Sequence, residues 1–118
     1  MNIFKRRKPK KLDQAHFSER WQQIQGLCKD RKCWADAIIQ ADDLLCEALR
    51  GRKYKGKTTG ERLVAAQHDL TSNDTVWMGH KLRNSLEGEA SPKLKKQDVV
   101  KGLTGFRQAL RDLGALDA

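Results

Sequence analysis

The sequence has no long apolar run, and it is poor in proline and cysteine. No stretch approaches the roughly 20 apolar residues of a membrane-spanning helix, so no transmembrane segment is predicted. Only two prolines occur, and no segment alternates between apolar and polar residues, so no strand is predicted. Three cysteines cannot all pair within one chain, and the first twelve residues lack the apolar stretch of a secretory signal. Both features favour a reduced, cytoplasmic protein.

Basic residues are abundant and unevenly distributed. The chain has 24 Lys+Arg against 15 Asp+Glu, a formal net charge of +9. Two segments without acidic residues carry the excess, and their basic residues are Lys5, Arg6, Arg7, Lys8, Lys10 and Lys11, then Arg50, Arg52, Lys53, Lys55 and Lys57. A block of like charge at a terminus repels itself, so residues 1–12 are predicted to form a disordered tail. Both segments are candidates to contact nucleic-acid phosphates, with solubility or an anionic membrane surface as alternatives for the tail.

Apolar residues recur at helical spacing from residue 13 to residue 118, which predicts one all-α domain, a bundle of about five helices. The apolar stripes are Phe17, Trp21, Ile24 and Cys28; Trp34, Ile38, Ala41, Leu45 and Ala48; Leu63 and Val64; Val76, Trp77, Leu82 and Leu86; and Val99, Leu103, Phe106, Leu110 and Leu113. The expected boundary signals are Gly51 after the second helix, a capping box from Thr58 to Glu61, Asn73 and Asp74 before the fourth helix, and Gly114 after the last. Residues 88–92 are expected to break the chain between the last two helices.

Residues 51–58 match the phosphate-loop pattern G-x-x-x-x-G-K-[ST] at every specified position. That chemistry needs a buried strand entering the loop, so that backbone N–H groups at the following helix can hold phosphate. Residues 41–50, which enter the loop here, have a helical pattern instead. The segment is therefore predicted to connect two helices, and no nucleotide or other cofactor is expected.

The predicted fourth helix carries Trp77, His80 and Asn84 on one face, with Arg83 three residues beyond His80. Buried polar groups are costly without partners, so this trio predicts a structural polar network, with a neighbouring backbone carbonyl as one partner. The other polar clusters predict no metal site. Cys28 and Cys33 lack a second pair of ligands, and Asp36, Asp42 and Asp43 are interpreted as a solvated helix face.

Four segments carry a resemblance to a known family: residues 34–42, 56–63, 77–84 and 106–113. Together they resemble a small helical family of reduced-genome epibiotic bacteria. Through Arg83-Asn84, the fourth helix is similar to the HEPN class of helical domains. The resemblance implies a bundle of four or five helices that pairs as a homodimer. It also implies ribonuclease chemistry of the Arg-x4–6-His type, in which Arg holds phosphate and His assists proton transfer at the 2′-hydroxyl.

The chain departs from that motif at one position. The resemblance places the motif histidine at position 88, where this sequence has Gly88, and the only histidines are His16, His68 and His80. We therefore expect a non-catalytic HEPN-like module that contacts RNA or DNA phosphates through Arg83 and the two basic segments. One alternative is a toxin- or defence-type ribonuclease with an altered motif that uses Arg83, Asn84 and His80. Another alternative is a scaffold for a protein partner, with no nucleic-acid role.

Overall fold

The computed structural model describes residues 12–87 and 93–117. These residues form an all-α bundle, and no strand occurs among them. The five helices are α1 (Gln14–Leu27), α2 (Trp34–Gly51), α3 (Thr59–Ala66), α4 (Asn73–Leu86) and α5 (Lys96–Asp112), with short 3₁₀ turns at Arg31–Cys33 and Gln67–Asp69. The predicted tail, the predicted break at residues 88–92 and the motif position Gly88 lie outside the described residues. Within the described part of the chain, no helix is both long and apolar enough to cross a membrane.

Helix α2 is the centre of the bundle, because each of the other four helices packs against it. Its predicted stripe is buried: Ile38, Ala41, Leu45 and Ala48 are fully covered, and only Trp34, at the first residue, is half-buried. Burying each large aliphatic side chain contributes about 1.5–3 kcal/mol. A helix with this many buried apolar residues therefore holds the others around it.

The end of α2 differs from the prediction. Gly51 lies inside the helix, and Lys53 is the residue in the left-handed region, with a φ of 64°. The N–H of Tyr54 donates to the carbonyl of Leu49 and the N–H of Lys53 donates to that of Arg50, which is a Schellman motif. Gly51 lies close to the side chain of Leu12, since a Cβ there would lie 2.6 Å from the Cδ2 of Leu12.

The start of α3 forms one half of the predicted capping box, whereas the start of α4 corrects the prediction. The Thr58 hydroxyl accepts from the backbone N–H of Glu61 at 3.1 Å, but the Glu61 carboxylate accepts from that hydroxyl, at 3.3 Å, and not from the backbone N–H of Thr58. At α4 the N-cap is Ser72, not Asn73 or Asp74. The amide of Asn73 instead donates to the carbonyl of Gln67 at 3.0 Å, which ties α4 to the preceding turn.

Helices α4 and α5 form the closest pair in the bundle, because glycines let their backbones approach. A Cβ on Gly79 would lie 2.8 Å from the Phe106 ring, and a Cβ on Gly105 would collide with the α4 backbone at Thr75 and Val76. Phe106 is fully buried beside them. This tight contact fixes the face that α4 presents to α2.

Gly114 ends α5 as predicted, with a φ of 81° and a second Schellman motif. The guanidinium of Arg52 donates to the carbonyl of Leu113 at 2.6 Å, at the negative end of the α5 dipole. Nearby, the Asp112 carboxylate accepts from both the N–H and the hydroxyl of Thr71, each at 2.8 Å. These contacts attach the end of α5 to the chain after α2 and to the chain before α4.

Candidate functional site

The polar face of α4 is assembled as the sequence predicts. The rings of Trp77 and His80 meet edge to face, with centroids 5.7 Å apart. The Asn84 amide nitrogen lies 3.5 Å from Nε2 of His80, a long hydrogen bond. Gly60, in the first turn of α3, lies beside the His80 ring, because a Cβ added to Gly60 would lie 3.7 Å from Nε2. His80 is thus enclosed between α4 and the start of α3.

The main partner of His80 is Asp42 on α2. Its carboxylate Oδ1 lies 2.8 Å from Nδ1 of His80, and the two residues are 1% and 8% exposed. A carboxylate can only accept, so Nδ1 carries a hydrogen and, in a neutral ring, Nε2 is left to accept from Asn84. The interpretation of Asp42 as part of a solvated face is wrong, since this side chain is the most deeply buried acid in the described residues.

Arg83 lies among three carboxylates. Its guanidinium is 3.8 Å from Asp42, 3.4 Å from Asp43 and 3.1 Å from Glu87. Asp43 and Glu87 are well exposed, so their ion pairs with Arg83 are weak individually, but together with Asp42 they outnumber its single positive charge. The phosphate-binding role of Arg83 stays a prediction, and these neighbours oppose it because they would also repel a phosphate.

The main role of this polar cluster is to hold helices together. A histidine oriented by a buried carboxylate has the form of an acid–base pair. Within residues 12–87 and 93–117, however, Asn84 is the only hydrogen-bond partner of Nε2, and the His80 side chain is only 10% exposed. The Asp42–His80 pair therefore joins α2 to α4 and supports the first turn of α3.

The loop between α2 and α3 contains the second candidate site. We call residues 50–57 the basic loop, and Lys53, Lys55 and Lys57 within it the lysine row. Exposure alternates along the loop: the three lysines are exposed, while Arg52, Tyr54 and Gly56 between them are half-buried. Arg50, at the last turn of α2, is exposed as well. None of these four exposed cations forms an ion pair with another described residue.

Two half-buried residues of the basic loop are held by distant parts of the chain. Arg52 donates to Leu113, as described above, and the Tyr54 hydroxyl donates to Asp69 at 2.5 Å. Gly56 lies against the start of α3, where a Cβ would be 2.9 Å from the backbone nitrogen of Arg62. The backbone of the loop is thereby held on both sides of Lys53, while the three lysines are exposed.

The basic loop begins near the α2 residues that pair with the α4 cluster (Trp77, His80, Arg83 and Asn84). Among the described residues, however, no hydrogen bond or ion pair joins the loop to that cluster. Asp43, which pairs with Arg83, precedes Arg50 by seven residues, or about 10 Å along α2. The helical entry into the phosphate-loop-like segment is confirmed, since α2 continues through Gly51.

Among the described residues, no group of three His, Cys, Asp or Glu is placed to hold a metal ion. Cys28 instead donates to the carbonyl of Ile24, and burial raises the pKa of its thiol.

Comparisons with known proteins find no counterpart: no family model, no curated protein and no solved structure matches the chain. The geometry of the basic loop and of the Asp42–His80 pair therefore carries the functional argument.

Tyr54 offers a direct check on how the loop is held. Burial, with a smaller contribution from the hydrogen bond to Asp69, raises the pKa of this phenol above its ordinary value of 10.0. A raised pKa means that the contact stabilises the fold below pH 10 and is lost as the pH rises through the folded-state value. Tyr54 is the only tyrosine in the chain, so phenolate absorbance reports it alone. We expect a titration midpoint above 10 in the folded protein and at about 10 in denaturant. Equal midpoints would show that Tyr54 is neither buried nor hydrogen-bonded to Asp69 in solution.

Proposed function

We propose that the protein is a non-catalytic helical binding module that holds nucleic-acid phosphates against its basic loop. The observation that carries this proposal is the lysine row: three exposed lysines at alternate positions of a loop whose intervening residues are held in place. A ligand that neutralises such lysines releases counterions, which favours polyanions over single anions. The six basic residues in segment 1–11 would add to the same attraction.

The HEPN-like resemblance belongs to this proposal. It is supported by the all-α bundle and by the position of Arg83-Asn84 near the end of α4, where the family motif begins. Under this proposal the chain keeps the bundle of that class, pairs with a second copy, and uses the α4 residues to support the fold. Light scattering tests the pairing, because a monomer at all concentrations would remove the dimer from the proposal.

The proposal is tested by measuring RNA affinity as a function of salt. The lysine-row variant, in which Lys53, Lys55 and Lys57 are replaced by glutamine, should bind labelled RNA more weakly. The plot of log affinity against log salt should become less steep by about 2, since each lost phosphate contact removes about 0.7–0.9. The matched control changes the same amount of charge at three other exposed lysines, Lys29, Lys81 and Lys101. If the RNA affinity of the control variant falls as far as that of the lysine-row variant, binding depends on net charge and not on the loop.

The ribonuclease alternative is favoured by one observation, the orientation of His80 by the buried Asp42 carboxylate. If this pair were catalytic, the labelled RNA would be cleaved and the cleavage would disappear in His80→Gln. We expect intact RNA, because loss of the motif histidine typically costs about 10²–10⁴ in rate. RNA that neither binds nor is cleaved would leave the protein-partner scaffold as the better account.

A further inference from the structure

We infer that the ligand of the basic loop is a nucleic-acid duplex, bound through its phosphates without regard to sequence. This inference rests on the proposed function and adds the class of ligand. It follows from two features of the described residues: the backbone between the lysines is held by hydrogen bonds, and the aromatic rings already pack against other residues.

The first feature is that the backbone of the lysine row is held. Arg52 donates to Leu113 and Tyr54 donates to Asp69, so the residues between the lysines are bonded to other parts of the bundle. A duplex is likewise ordered before it binds, with one phosphate per about 3.4 Å of helix axis in each strand. Binding a duplex therefore avoids the entropy cost of ordering a flexible ligand, which a single strand would incur on the same loop.

The second feature concerns stacking, from which single-strand binding gains much of its affinity. Bases of a single strand stack on exposed aromatic side chains, each worth about 1–3 kcal/mol. The one aromatic residue in the basic loop, Tyr54, packs its ring against the hydrophobic core and directs its hydroxyl to Asp69. Trp34 and Trp77 also pack on the core, the latter against His80, and Phe17, Trp21 and Phe106 are buried. The described surface thus offers exposed charge in the basic loop, while its aromatic rings are buried or half-buried and already packed against other residues, a combination that suits a duplex.

Two carboxylates lie beside the lysine row: Asp69 accepts from Tyr54, and Glu61 accepts from the Thr58 hydroxyl. They keep their negative charge while they accept, so they weaken the attraction for phosphate, but the three lysines outnumber them.

The experiment compares ligands of equal length on the full-length protein: a labelled RNA duplex, the matching DNA duplex and the single strand of each. At one salt concentration we expect each duplex to bind roughly tenfold more tightly than its single strand, a difference of about 1.4 kcal/mol. Both the RNA duplex and the DNA duplex should show this preference over their single strands, and scrambling the sequence should change neither. Single strands that bind as tightly as duplexes would overturn the inference and leave the proposed function standing. No salt-dependent binding to any of the four ligands would overturn the proposed function itself.

Tyr54→Phe tests the rigidity argument separately. It removes the contact with Asp69 and keeps every charge of the lysine row. The variant should lose duplex affinity and retain single-strand affinity, so that the ratio of duplex affinity to single-strand affinity falls. Circular dichroism must first show that the variant is folded. If it is not, the comparison of duplex and single strand in the unmodified protein still decides the inference. An unchanged duplex preference in folded Tyr54→Phe would contradict the argument that the held loop selects the duplex.

Discussion

Replacing Gly105 with alanine should destabilise the protein by about 3 kcal/mol, near the top of the range for overpacked cores. The added Cβ would lie 2.5 Å from the carbonyl carbon of Thr75 and 2.8 Å from the backbone nitrogen of Val76. Both atoms belong to the backbone of α4, so no side chain can rotate to make room. The two helices would have to separate, which would expose Phe106. Urea denaturation monitored by circular dichroism gives the free energy of unfolding.

Gly26 provides the matched control, because it is also a helical glycine but has nothing within 4 Å of an added Cβ. Alanine there should stabilise the protein by about 0.5–1 kcal/mol, since it has the higher helix propensity. If the two variants shifted stability in the same direction by similar amounts, the close packing of α4 on α5 would be contradicted.

Replacing Asp42 with alanine should cost about 3 kcal/mol, in the range seen when one partner of a buried pair is removed. Nδ1 of His80 would lose its acceptor in a site where water has little access, and Arg83 would lose one of its three carboxylates. The loss should appear in the free energy of unfolding from urea titrations at neutral pH. Asp42→Asn should recover part of it, because its side-chain oxygen can still accept from Nδ1.

Asp43 is the natural comparison for Asp42, since it is the next residue on α2 and contacts the same guanidinium. Its side chain is 61% exposed, and exposed ion pairs contribute about 0–1 kcal/mol. Asp43→Ala should therefore change stability by less than about 1 kcal/mol. Equal losses from the two variants would show that burial at Asp42 does not matter, and the account of the α4 cluster would then fail.

The helices were predictable from the sequence because the residues that specify each helix lie within it or directly beside it in the chain. The stripe from Val99 to Leu113 specifies α5, and Gly114 ends it through its own backbone freedom. The end of α2 was not predictable in the same way. Helix α2 continues through Gly51, which lies close to Leu12, a residue distant in sequence, and Lys53 takes the left-handed position. A rule based on neighbouring residues cannot predict a contact between residues that are distant in the sequence.

The site was predictable only in part, for the same reason. Trp77, His80 and Asn84 share a face by helical spacing, which the sequence shows directly. Asp42 was missed, although a signal existed: it follows Ile38 by four residues and precedes Leu45 by three, within the buried stripe of α2. Helical spacing alone could have placed Asp42 in the core, but naming its partner required the arrangement of α2 against α4.

The two basic features that the sequence grouped together differ in the structure. The lysine row is exposed and free of ion pairs among the described residues, and the contacts of Arg52 and Tyr54 hold it in place. Arg83 is surrounded by carboxylates from two helices. Composition counts both as positive charge, whereas an approaching phosphate would meet cations at the lysine row and a mixed, mainly acidic surface at Arg83.

We propose that the basic loop, and not Arg83, holds the phosphates. The direct measurement is the salt dependence of RNA duplex affinity for the unmodified protein, the lysine-row variant and Arg83→Gln. We expect a slope reduced by about 2 in the lysine-row variant and unchanged in Arg83→Gln. A slope that falls in Arg83→Gln and is retained in the lysine-row variant would contradict it.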